Sequence, residues 1–189
     1  MKNIQSAILL FFVFTFLLGG VYPAMVTGCA QLFFPRLAAG SLIADKNGRP
    51  IGSSLIGQPF SADHYFWPRP SATGGHSYNP LASGGSNLGP TNSSFLKLVE
   101  NRVRKFHATG IVLPIPSDLV LASASSLDPH ISPDAALAQI PRIAKARGIS
   151  EIELQQIVTT HVEDRQWGIL GEPRVNVLAL NLALDNLAP

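Results

Sequence analysis

Between Asn3 and Pro35 the chain carries no charged side chain, and Ile8-Leu-Leu-Phe-Phe-Val-Phe-Thr-Phe-Leu-Leu18 lies inside that window. A bilayer core about 30 Å thick takes roughly 20 mostly apolar helical residues, and residues 4–26 supply them. The chain therefore reads as an anchor over residues 1–35, helical over about 4–28, followed by one globular domain over residues 36–189.

Two cleavage readings compete with a retained anchor. Lys2 followed by an apolar run fits a secretory signal, and Val26-Thr-Gly-Cys29 resembles a lipobox whose cysteine becomes lipidated. The uncharged stretch continues through Gln31-Leu-Phe-Phe34, where an exported mature chain usually turns polar, and this favours the anchor. Gly20, Ala24 and Gly28 recur at four-residue spacing and share one helix face, the pattern that lets membrane helices approach closely. Chance in a segment rich in small residues gives the same spacing. Pro23 is expected to kink or loosen the helix.

Orientation is weakly marked by charge, since Lys2 faces Arg36, Lys46 and Arg49 on the other flank. A long downstream domain translocates largely regardless of charge, so the N-terminus is expected inside and the domain outside the cytoplasm. A formal net charge of +2 with 14% charged residues points away from nucleic acid as a partner. Cys29 is the single cysteine, which leaves the domain without an internal disulfide.

Local signals in the domain predict an α+β fold with a small β-sheet or hairpin and several helices. Asn47-Gly48 between short apolar runs marks a hairpin. Residues 60–91 form a long connection dense in Pro, Gly, Ser and aromatics, including Tyr65-Phe-Trp-Pro-Arg-Pro-Ser71. Asn92 or Ser93 caps a helix with Phe95, Leu98, Val99, Arg102, Val103 and Phe106 on one stripe, ending at Gly110. Residues 116–126 read as extended or loop. Ser132-Pro-Asp134 starts a helix that is expected to run to Arg147, kinked at Pro141, and stop at Gly148. Ser150-Glu-Ile-Glu153 is a capping box for a helix through about Val162. Residues 174–187 read as a strand passing into an apolar helix.

No chemistry-bearing motif is complete. Leu81-Ala-Ser-Gly-Gly-Ser-Asn-Leu-Gly-Pro-Thr-Asn-Ser-Ser94 has the small residues of a phosphate loop, but no lysine lies between Asn47 and Lys97. Leu88 stands where a nucleophile elbow needs its last glycine. His64, His76, His107, His130 and His161 lack metal-site spacing. Asp128-Pro-His130 can pair an acid with a base and is equally a pre-helix turn, so a secreted or lipid-anchored hydrolase using Asp128, His130 and a serine of the Gly-rich loop is the rival class.

Several blocks in order carry a resemblance: Gly19-Gly-Val-Tyr-Pro23, Gly40-Ser-Leu-Ile43, Tyr65-Phe-Trp-Pro-Arg-Pro-Ser-Ala72, Asn79-Pro80, Ser83-Gly-Gly-Ser-Asn-Leu88, Leu127-Asp128, Gln139-Ile-Pro-Arg142, Ala144-Lys-Ala-Arg147, Val175-Asn-Val177 and Leu180-Asn-Leu-Ala-Leu-Asp185. Together they resemble the C subunit of the bacterial Kdp potassium-transporting ATPase over nearly the whole chain. Leu121 and Ser126 depart from it, where the family often has threonine and glycine.

The resemblance implies a single-pass, non-catalytic accessory subunit of the bacterial cytoplasmic membrane. Its partners would be a channel-like potassium-binding subunit, an ATP-hydrolysing subunit and a small membrane subunit. The domain would lie outside, over the potassium entrance, with ATP and potassium handled by the complex; direct contact of this chain with ATP is implied by the family description alone and by no residue of the sequence. The family is also described as raising ATP affinity in the catalytic subunit, which an external domain could do only through the membrane helices as a coupling free energy. The expected contact surface is a docking loop of Tyr65, Phe66, Trp67, Arg69, Ser83, Gly84, Gly85, Ser86 and Asn87, with Gly20, Ala24 and Gly28 packing in the membrane.

Overall fold

The computed structural model describes residues 2–45, 47–111 and 114–187, in two compact units, Met1–Ile51 and Gly52–Pro189. Lys46 of the expected hairpin lies outside the described residues.

The first unit opens with helix α1 (Lys2–Phe16), a π-helical turn (Leu17–Val21) and helix α2 (Tyr22–Phe33). The helical run extends past the expected end near residue 28. Asn3–Phe33 is long and apolar enough to cross a membrane, and none of its apolar window is buried in the protein. The π-turn is the accommodation that Pro23 requires. A proline ring clashes with the carbonyl four residues back and removes one amide donor. Widening the helix so that Tyr22 donates to the Leu17 carbonyl takes up the strain without breaking the rod. After a short helix α3 (Pro35–Ala38) come strands β1 (Leu42–Ala44) and β2 (Pro50–Ser53), which pair as the sequence predicts. The turn is built on the Asp45 carboxylate, which accepts from the amides of Asn47 and Arg49 at 2.8 Å each, while Gly48 takes φ +76°.

The second unit holds a 3-10 turn (Pro80–Ala82), then α4 (Ser93–Ala108), α5 (Ser117–Val120), β3 (His130–Ile131), α6 (Pro133–Leu137), α7 (Ile140–Arg147), α8 (Glu151–Thr160), β4 (Val162–Glu163), β5 (Arg174–Asn176) and α9 (Val177–Leu187). The fold is α+β. β5 is the central strand of an antiparallel sheet ordered β3-β5-β4, with Val175 opposite both Ile131 and Val162.

The caps are where the sequence places them. Asn92 accepts from the amides of Ser94 and Phe95, Ser132 from Ala135, and Ser150 from Glu153. Two elements differ from expectation. Residues 133–147 form two helices rather than one kinked helix, with Pro141 in the first turn of α7, where its missing amide leaves no bond unmade. Residues 116–126 contain the helical turn α5 rather than being wholly extended. The core joins Leu119, Ile131, Ile143, Leu154, Val158, Val175, Leu180 and Leu184, all at most 2% exposed, to two aromatic residues of the long connection, Phe66 and Trp67.

Candidate functional site

The segment from Tyr65 to Ser71 has no regular secondary structure, so its backbone groups need other partners. Side-chain amides provide them. Asn181 accepts from the Phe66 amide at 2.8 Å and donates to the Phe66 carbonyl at 3.0 Å. Gln139 does the same for Trp67, at 2.8 and 3.2 Å. Two side chains thus replace a neighbouring strand.

Arg142 extends the clamp, donating to the carbonyls of Asp63 and Tyr65 and to Gln139 Oε1. Burial lowers the Arg142 pKa to about 10, offset in part by the nearby Asp63 charge, and the group remains a cation at neutral pH. Two cations approach the Trp67 ring, the Lys105 ammonium 4.0 Å and the Arg142 guanidinium 4.1 Å from its centre. Arg147 donates to the His64 carbonyl and pairs with Asp185 at 2.7 Å. Asp185 also accepts from the Tyr65 hydroxyl, and this bond, followed by burial, raises the Tyr65 pKa.

Phe66 and Trp67 are therefore core residues, 0% and 5% exposed, and hold the loop down instead of offering a free apolar surface. Tyr65 and Arg69 are half-buried. The Gly-rich loop sits against residues 123–126. Gly84 donates to the Ser125 carbonyl at 3.0 Å, and a Cβ on Gly85 would stand 3.2 Å from the Ala124 carbonyl oxygen, whereas one on Gly84 would meet nothing within 4 Å. Ser83, Ser86 and Asn87 remain exposed, beside Leu81, which is 95% exposed on the 3-10 turn and was not singled out from the sequence. Gly20, Ala24 and Gly28 are exposed along the apolar helix.

Asp128 and His130 belong to a different surface, a row of ionisable side chains in contact. Arg69 Nη1 lies 3.2 Å from Asp128 Oδ2, Asp128 Oδ1 lies 3.2 Å from His130 Nδ1, His130 Nε2 lies 3.9 Å from Glu163, and Glu163 meets Arg174 at 2.9 Å. Burial would raise the Asp128 pKa, but hydrogen bonds from His130 and the charges of His130 and Arg69 together outweigh it and hold the carboxyl below its ordinary value. Arg69, Asp128, His130 and Arg174 line an open cleft of about 1010 Å3. Ser117 and Ser132 also line it, Ser83 and Ser86 do not, and the Ser132 hydroxyl caps α6. The acid, the base and a Gly-rich-loop serine that the hydrolase reading needs are thus not brought together. Among the described residues no three His, Cys, Asp or Glu side chains form a group able to hold a metal.

Comparison with known proteins matches the chain to a family. The family model described as KdpC, the K+-transporting ATPase c chain, matches residues 4–186. The potassium-transporting ATPase KdpC subunit of Geobacter metallireducens is 63% identical over 189 residues, covering all of both chains. That of Geotalea uraniireducens is 63% identical over 188 residues, again with full coverage of both chains, and that of Methylibium petroleiphilum is 54% identical, with 98% of each chain covered. With the match spanning both the apolar helix and the clamped loop, the chain belongs to the KdpC family, the c chain of K+-transporting ATPases.

Proposed function

We propose that this subunit is a non-catalytic, single-pass assembly component of its ATPase, with its domain outside the cytoplasmic membrane near the potassium entrance. The observation that carries this reading is the apolar helix Asn3–Phe33, none of whose apolar window is buried, on a chain whose second unit uses buried polar side chains to fix a loop. Gln139, Arg142, Arg147 and Asn181 are committed to backbone groups, which suits a surface of fixed shape rather than groups that turn over a substrate.

The partners in this reading are a channel-like potassium-binding subunit, an ATP-hydrolysing subunit and a small membrane subunit. The exposed polar edge of the Gly-rich loop, Ser83, Ser86 and Asn87, supplies neutral hydrogen bonds suited to a contact that leaves a passing cation unbound. Gly20, Ala24 and Gly28 supply the close helix approach in the membrane. Any influence on ATP affinity travels through the membrane helices as coupling.

The test is purification of the complex from membranes with a tag on this chain. The potassium-conducting and ATP-hydrolysing chains are expected to accompany it, and Ala24→Leu or Gly28→Leu should reduce their recovery in detergent. A complex that assembles and shows full potassium-stimulated ATPase activity without this chain contradicts the reading.

A further inference from the structure

The connection between β4 and β5 carries at its middle a tight turn, Gln166–Leu170, whose most prominent side chain is unexplained by folding. Trp167 is 88% exposed, and its neighbours Ile169 and Leu170 are 74% and 49% exposed. Trp167 also holds φ +54°, a left-handed conformation that suits asparagine or glycine and is unfavourable for a bulky residue. The turn is nonetheless well fixed. Gln166 and Leu170 exchange both backbone hydrogen bonds at 2.9 and 3.0 Å, Gly168 donates to the Arg165 carbonyl, and the ion pairs Arg165 with Glu172 and Arg174 with Glu163 close its base. The turn leads into β5, whose Val175 is fully buried.

Folding alone selects against a large apolar side chain that is strained and in water. Binding selects for one, because a rigid exposed tryptophan loses little conformational freedom on burial, and tryptophan dominates interface hot spots. We propose that Trp167, Ile169 and Leu170 form a plug that enters an apolar pocket on another protein subunit of the same ATPase, a second contact separate in sequence from the Gly-rich loop. The inference rests on the reading of this chain as an assembled subunit.

The rival occupant is the bilayer surface, since the chain has its own candidate membrane helix. Charge argues for protein. Residues 163–174 hold Glu163, Asp164 and Glu172 against Arg165 and Arg174, three acids to two bases, which an anionic lipid surface repels and an uncharged or basic pocket rim accepts.

The test compares full-length wild type with Trp167→Gly, Trp167→Phe and Ile169→Ser. Glycine relieves the backbone strain, so the free Trp167→Gly chain in detergent should unfold at the same temperature as wild type or higher, while its recovery with the other subunits falls at least fivefold. Ile169→Ser, at an exposed position without strain, should also lower recovery, and Trp167→Phe should keep most of it. Equal recovery of Trp167→Gly, Ile169→Ser and wild type overturns the plug. So does quenching of Trp167 by headgroup-labelled lipid when the chain alone is reconstituted in phosphatidylethanolamine–phosphatidylglycerol vesicles, read as the difference from Trp167→Phe. Failure of the wild-type chain itself to recover the other subunits is a different result and defeats the assembly reading.

Discussion

The side-chain amide of Gln139 is paired in both directions with the backbone of Trp67, accepting from its amide at 2.8 Å and donating to its carbonyl at 3.2 Å. Gln139 is fully buried and also donates to the Ala135 carbonyl, so each polar atom of the amide is used. Truncation leaves buried backbone groups without partners, at about 1 to 3 kcal/mol for each. Gln139→Ala is therefore expected to destabilise the chain by about 2 to 4 kcal/mol, measured by denaturant unfolding. A loss below about 0.5 kcal/mol would show that the clamp adds nothing.

The two central glycines of the Gly-rich loop are expected to differ although they are adjacent. Gly84→Ala adds a methyl into open space, and its unfolding temperature should match wild type. Gly85→Ala brings that methyl to 3.2 Å from a backbone oxygen, and Gly85→Val adds branching, so destabilisation should rise in that order. Equal effects of Gly84→Ala and Gly85→Ala would contradict this packing.

Ser126 departs from the glycine expected there and lies buried at φ +57°, with its hydroxyl only 3.4 Å from the Ser123 carbonyl oxygen. A left-handed backbone costs a non-glycine residue about 1 to 2 kcal/mol, partly offset by the greater unfolded-state freedom of glycine. Ser126→Gly should leave stability unchanged or raise it by up to about 1 kcal/mol in thermal unfolding.

Several elements were legible because their signals are local. The long apolar helix, the Asn-Gly turn and the caps at Asn92, Ser132 and Ser150 each depend on residues within a few positions. The burial of Phe66 and Trp67 was not, because the groups that hold them, Asn181 and Gln139, stand 115 and 72 residues away in sequence. For the same reason Gly84 and Gly85 look alike until residues 123–126 are placed beside them, where the Ser125 carbonyl bonds the amide of Gly84 and the Ala124 carbonyl crowds the Cβ position of Gly85. The break between α6 and α7 was half legible: Pro141 marks the disturbance, but the residue at the junction, Gln139, is bonded to Trp67, which is 72 positions away in sequence.

The Asp128 carboxyl titrates below its ordinary value in the folded chain, so its contribution is fully present above the usual carboxylate pKa and is lost as pH falls through the lowered folded value. Wild type should therefore lose more stability than Asp128→Asn as the pH is taken from 5 to 2, in paired acid-unfolding curves. Parallel curves would mean that the bonds to His130 and Arg69 add nothing to folding.

Placement of the domain outside the cytoplasm, where it can meet the potassium entrance but not ATP, is tested most directly by protease accessibility in intact spheroplasts and in inverted membrane vesicles. The domain should be degraded in spheroplasts while cytoplasmic markers survive, and be protected in inverted vesicles. Protection in spheroplasts with degradation in inverted vesicles would contradict the placement and put the Gly-rich loop on the side where ATP is found.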